Sequence, residues 1–149
     1  MLSKKIVLVL SIIFFSSSIV TAQEEMTWYD LSDVKFNRVY NEEYGTFFLV
    51  PEFGETIRSL DGKKVRIVGY FLDIAGNGEV LLLSKQPMAS CFFCGGAGPE
   101  TVIEVNFKEK PDFKTDQVIV ITGTLKLNAD DVDQCNYIMN DVTGELIDY

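Results

Sequence analysis

Histidine is absent from the 149-residue sequence. Its absence removes the usual acid/base of neutral pH and the commonest zinc ligand. It also removes any Ser-His or Cys-His nucleophile pair, which leaves hydrolase chemistry weakly supported. Positive charge is scarce, with 13 Lys and Arg against 22 Asp and Glu. A field of that sign repels nucleic acid and anionic lipid, and it favours solubility or cationic partners. Lys108, Lys110 and Lys114 make no basic patch against this background, so a nucleic-acid role is disfavoured. Proline is limited to 4 residues, cysteine to 3 and tryptophan to 1. Long apolar runs are also missing, apart from one near the N-terminus.

That run spans residues 6–15 and follows Lys4 and Lys5. Three serines come next, then Val20-Thr21-Ala22, the small-residue ending of a signal-peptidase site. The apolar core is shorter than the roughly 20 residues of a membrane span and is broken by the serines. No cysteine lies near the cleavage site, which disfavours a lipid anchor. Residues 1–22 are therefore expected to be a signal peptide, with cleavage near Ala22-Gln23 and a periplasmic or secreted product. The remaining 127 residues, 23–149, carry a formal charge of −11, since Lys4 and Lys5 leave with the leader. That length suits one domain with a real core.

Within it, residues 24–33 read as an arm whose aromatics, Trp28 among them, cover one end of the core. Phe47 to Val50 could form an edge strand. Pro51 fits the first turn of a helix over residues 51–60, with Phe53, Ile57 and Leu60 on one face and Asp61-Gly62 as its stop. From Lys63 onward the period becomes two. Val65, Ile67 and Phe71 share one face of the segment 63–73, and residues 75–78 are a turn before a strand over 79–84. Ile103, Val105 and Phe107 share a face over 101–108, as do Ile119, Ile121 and Leu125 over 117–127. A last strand begins at Tyr137 and runs to Val142, with residues 145–149 extending it or pairing with it. Two strands repeat apolar-x-apolar-x-Gly, at Val65–Gly69 and Ile119–Gly123. Such glycines let long strands bend around a small barrel. The expectation is a mainly β protein, a five-stranded OB-fold-like barrel with one short capping helix; a β-sandwich is the alternative. Residues 109–116 are too short and Pro-broken for the helix often found between strands three and four of that fold.

Chemistry is concentrated in Cys91-Phe92-Phe93-Cys94-Gly95-Gly96-Ala97-Gly98-Pro99-Glu100. A thioredoxin-like Cys-x-x-Cys needs a helix N-terminus to acidify its first thiol, and the glycines that follow do not continue as a helix. Cys-x-x-Cys-Gly does match a metal knuckle, in which two thiolates converge on an ion above a tightly wrapped backbone. A closed zinc site needs four ligands. Cys135 supplies a third thiol, and Asp133, Asp131, Glu100 or water a fourth ligand. Met88 and Met139 would add soft sulfur for copper(I). In an oxidising compartment Cys91 and Cys94 could instead form a disulfide that staples the loop, or Cys135 could pair with one of them. Phe92 and Phe93 are candidate anchors for a protein partner. Asp130-Asp131-Val132-Asp133 lacks the glycine of a calcium loop and reads as solvated, as do Glu24-Glu25 and Glu42-Glu43.

The early Trp28, the segment Leu60 to Tyr70 (LDGKKVRIVGY), the Leu81 to Ser84 strand and the Cys-Phe-Phe-Cys-Gly loop together resemble an exported bacterial family catalogued as a domain of unknown function. Its members are associated with metal-responsive export or uptake gene neighbourhoods, and many carry histidine or a proline-rich stretch near this loop, which this sequence lacks. The resemblance covers most of residues 28–107. It implies an exported location and the importance of the loop, and it supplies no reaction. Three readings follow. The first is a periplasmic binding module for zinc or copper through Cys91, Cys94, Cys135 and Asp133. The second is an interaction module in the cell envelope whose loop is braced by a disulfide. The third is a thiol-disulfide redox protein.

Overall fold

The period-two segments become strands that close on themselves. In a computed structural model the described residues are 23–91, 95 and 97–147; the expected leader, Phe92, Phe93 and Cys94 lie outside them. In chain order the elements are β1 (Glu24–Glu25), α1 (Trp28–Leu31), β2 (Val34–Asn41), β3 (Thr46–Phe53), α2 (Glu55–Arg58), β4 (Lys64–Asp73), β5 (Leu81–Ser84), β6 (Val102–Phe107), β7 (Val118–Leu127) and β8 (Tyr137–Leu146). Single turns of 3-10 helix, Met88–Ser90 and Pro99–Thr101, lie between β5 and β6.

Neighbouring strands run β4-β5-β6-β8-β7, and β7 pairs back onto β4 from Lys64↔Thr124 to Tyr70↔Val118. That last pairing makes a closed five-stranded barrel and decides against a sandwich. Within it only β6–β8 is parallel. This is the Greek-key arrangement of an OB-like barrel. Its inside is built from the alternating residues: Val65, Ile67 and Phe71 of β4, Ile103 and Val105 of β6, and Ile119, Ile121 and Leu125 of β7 are buried in one core cluster. Both long strands bend at their glycine. A Cβ on Gly69 would lie 2.7 Å from the Ser84 carbonyl oxygen and 2.9 Å from the Trp28 ring, and one on Gly123 would lie 2.8 Å from the Asn140 carbonyl oxygen. At Gly123 the β7–β8 register also shifts, as expected where a barrel strand coils.

The N-terminal segment and α2 pack against this core. Thr27 caps α1 in a reciprocal capping box with Asp30. Trp28 Nε1 donates to the Val68 carbonyl at 2.8 Å, which lays the indole over Gly69. Tyr137 donates its hydroxyl to the Leu31 carbonyl at 2.7 Å and meets the Phe53 ring edge-on at 5.6 Å. Phe53, Ile57 and Leu60 are all buried, as their spacing predicts, and Gly62 takes a positive φ of 74° after the stop.

The helix itself differs from the expectation. It covers only Glu55–Arg58, because Pro51 lies inside β3 rather than at a helix start. A strand lacking a neighbour on one side tolerates proline, since no ladder partner needs the missing N–H. Among the described residues there are two small α-helices, α1 and α2, where one was expected. The structure also contains β2, which pairs with β3 along Val34↔Phe53 to Asn41↔Thr46 as a separate two-stranded sheet. No helix among the described residues is long and apolar enough to cross a membrane.

Candidate thiol site and adjoining cleft

The segment between β5 and β6 is held by hydrogen bonds within itself and by one to Asp116. Lys85 N donates to the Thr101 carbonyl at 2.9 Å, and Met88 N donates to Asp116 Oδ1 at 2.7 Å. The Thr101 hydroxyl donates to the Gly98 carbonyl at 2.6 Å. These bonds set Cys91 at the end of the Met88–Ser90 turn, fully buried against Leu72 and Leu82. The three form a small apolar cluster separate from the main core, and Tyr70, Ile74, Met88 and Cys135 pack against it. Cys91 and Cys135, far apart in sequence, therefore belong to one packing unit. Met139 does not join them, since it is buried in the main core.

Cys135 reaches this position through the connection between β7 and β8, which folds around the Asn128 side chain. Asn128, itself buried, accepts from Asp131 N at 3.0 Å and donates to the carbonyls of Asp131 at 2.7 Å and Cys135 at 3.2 Å. Cys135 N in turn donates to Glu104 Oε2 at 3.1 Å. Burial, and then the Glu104 carboxylate, pushes the Cys135 thiol up to about 11. Asp131 and Asp133 are exposed on the outer side of this loop, with Asp133 N donating to Asp131 Oδ1 at 3.0 Å.

Of the sequence-predicted ligands, the structure places Cys91 and Cys135 in one cluster and Asp133 on the nearby rim. Cys94 and the anchors Phe92 and Phe93 lie outside the described residues. Among the described residues, no three His, Cys, Asp or Glu side chains gather into a metal-binding group. Glu104 and Asn128 are the residues that sequence reasoning missed. Glu104 looked like an ordinary outward residue of a strand, and only the parallel β6–β8 pairing, with Glu104 opposite Ile138, carries it to Cys135.

Beside the thiols lies a cleft of about 480 Å³ between β3 and the 128–136 loop. Phe48, Val50, Val80 and Val102 are among its apolar lining residues, and Glu104, Asp131 and Asp133 among its polar ones. The β2–β3 hairpin overhangs it. Tyr44, near the hairpin tip, has its phenol pushed up by Asp133 first, and also by Glu43, burial and Asp131. Around the tip Tyr40 meets Phe47 edge-on at 5.1 Å, and the Arg38 guanidinium lies over the Phe47 ring at 4.4 Å. Val39, Tyr40, Tyr44, Phe47 and Leu49 remain about half exposed.

No protein-family model matches the chain, and no curated protein is found similar to it.

Proposed function

We propose that the chain is an exported binding module that holds one soft or borderline metal ion, zinc or copper(I), on its three cysteines. The observation that supports this reading is the packing of Cys91 and Cys135 against one small cluster, with Cys94 only three residues beyond Cys91. Thiolates suit those ions. Glu104, bonded to the Cys135 backbone, is a further carboxylate for a fourth ligand beside the rim residue Asp133. The raised Cys135 thiol does not suit disulfide exchange, which needs a thiolate at working pH. It does suit a ligand whose proton leaves only when an ion arrives. Affinity should therefore keep rising with pH past the ordinary thiol range, towards pH 11.

The test is the native intact mass of the exported protein, isolated without reductant. One ion per chain is expected, lost in Cys91→Ser and in Cys135→Ser. A metal-free mass in zinc- or copper-replete cells, or an ion retained by both variants, overturns the reading. A second reading is supported by the apolar cleft, which begins at Pro99 beside the cysteine loop. It is a cell-envelope interaction module whose loop is braced by a Cys91–Cys94 disulfide and docks through Phe92 or Phe93. Its mark would be a mass lower by two hydrogens and loop thiols that alkylate only after reduction.

A further inference from the structure

We propose that the cleft under the β2–β3 hairpin is a docking groove for an extended polypeptide segment that alternates cationic and apolar side chains. The cleft continues into a neighbouring recess of about 820 Å³, and the two share Val80, Glu104 and Asp133. The recess adds Asp73, Glu79 and Glu109 to the acidic side, against the single base Lys110. A groove lined by valine and phenylalanine as well as by carboxylates selects a ligand carrying both features. Its charge excludes nucleic acid and anionic lipid. A second copy of this chain, with its net charge of −9, is repelled as well. A small polycation would leave the apolar lining unused. A peptide with lysines or arginines between large apolar residues satisfies both kinds of lining, with affinity from the buried apolar contacts and orientation and on-rate from the charges. Glu104 and Cys135 line the cleft as well, but Asp73, Glu79 and Glu109 of the recess keep it acidic when an ion sits on the thiols.

The probe is a short synthetic peptide of alternating Lys and Leu, added to the isotope-labelled exported protein and followed by amide chemical shifts. Shifts are expected at Val80, Val102 and Asp133, with affinity that falls as salt rises. Glu79→Gln together with Glu109→Gln, both exposed positions outside the thiol site, should weaken binding by about threefold to tenfold and flatten the salt dependence. Val50→Ser should weaken binding while leaving the salt dependence intact. Cys91→Ser, which removes the proposed ion, should leave peptide binding in place, so the two proposals fail separately. The proposal is overturned by shifts confined to other surfaces or by unchanged binding in the Glu79/Glu109 double variant. Equal affinity for a Leu-Glu peptide or for spermine alone, or self-association that fills the cleft, overturns it too.

Discussion

Cys135 shows how one side chain can carry its own pH dependence. Its thiol is raised from 9.0 to about 11, so the unfolded chain releases this proton at lower pH than the folded one does. The associated stability is complete below pH 9 and is lost as pH climbs to about 11. Discounted for partial exposure, it amounts to about 2 kcal/mol. Urea midpoints of the metal-free protein measured across that window should fall, and Cys135→Ala should remove the part of the decline that begins at pH 9. A wild-type profile that stays flat would show the thiol ionising freely. Tyr137 is also raised, by burial and then by Glu100 and Asp33, so the variant should keep the later part of the decline. The cysteines were legible in the sequence as the centre of interest, but their surroundings were not. Nothing in Asn128 or Glu104 taken singly marks the one as a loop organiser and the other as a neighbour of Cys135.

Among the elements, the barrel strands were legible because each buries one face, so burial and sequence alternate together. Of the β2–β3 hairpin only Phe47 to Val50, within β3, was, because only the hairpin's base meets the core. Further out, Val39 and Tyr40 are adjacent and both exposed, and the period-two signal fades. Pro51 misled for a related reason, since proline suits a helix start and an unflanked strand equally well. The bend at Gly69 is where element geometry admits least change. Gly69→Ala should destabilise the protein by about 1–3 kcal/mol, with the strain directed at the Ser84 carbonyl and the Trp28 ring. Because Trp28 is the chain's single tryptophan, its fluorescence should shift to the red as the indole is lifted. Val68→Ala next door, at a partly exposed position, should leave the emission unchanged. A native-like spectrum and midpoint in Gly69→Ala would mean the indole does not rest on the glycine.

For the molecule as a whole, like charge is the dominant long-range force. Among the described residues the ion pairs are Lys63–Glu24 at 2.8 Å and Arg66–Glu25 at 3.2 Å, both well exposed, and exposed pairs contribute little. Adding sodium chloride therefore screens more repulsion than attraction. The melting temperature should rise between low and high salt; a fall would show that the few pairs outweigh the net charge. The closure of β7 onto β4 carries a consequence of a different kind, concerning time. Lys64 pairs with Thr124 and Tyr70 with Val118, so the seam joins segments that a growing chain produces far apart. β8, which must lie between β6 and β7, comes later still. Such long-range contacts place the barrel among slow-folding topologies, in the millisecond-to-second range. Until β8 is available, the apolar faces of β4 to β7 stay uncovered, and the nascent chain depends on its surroundings to hold them apart.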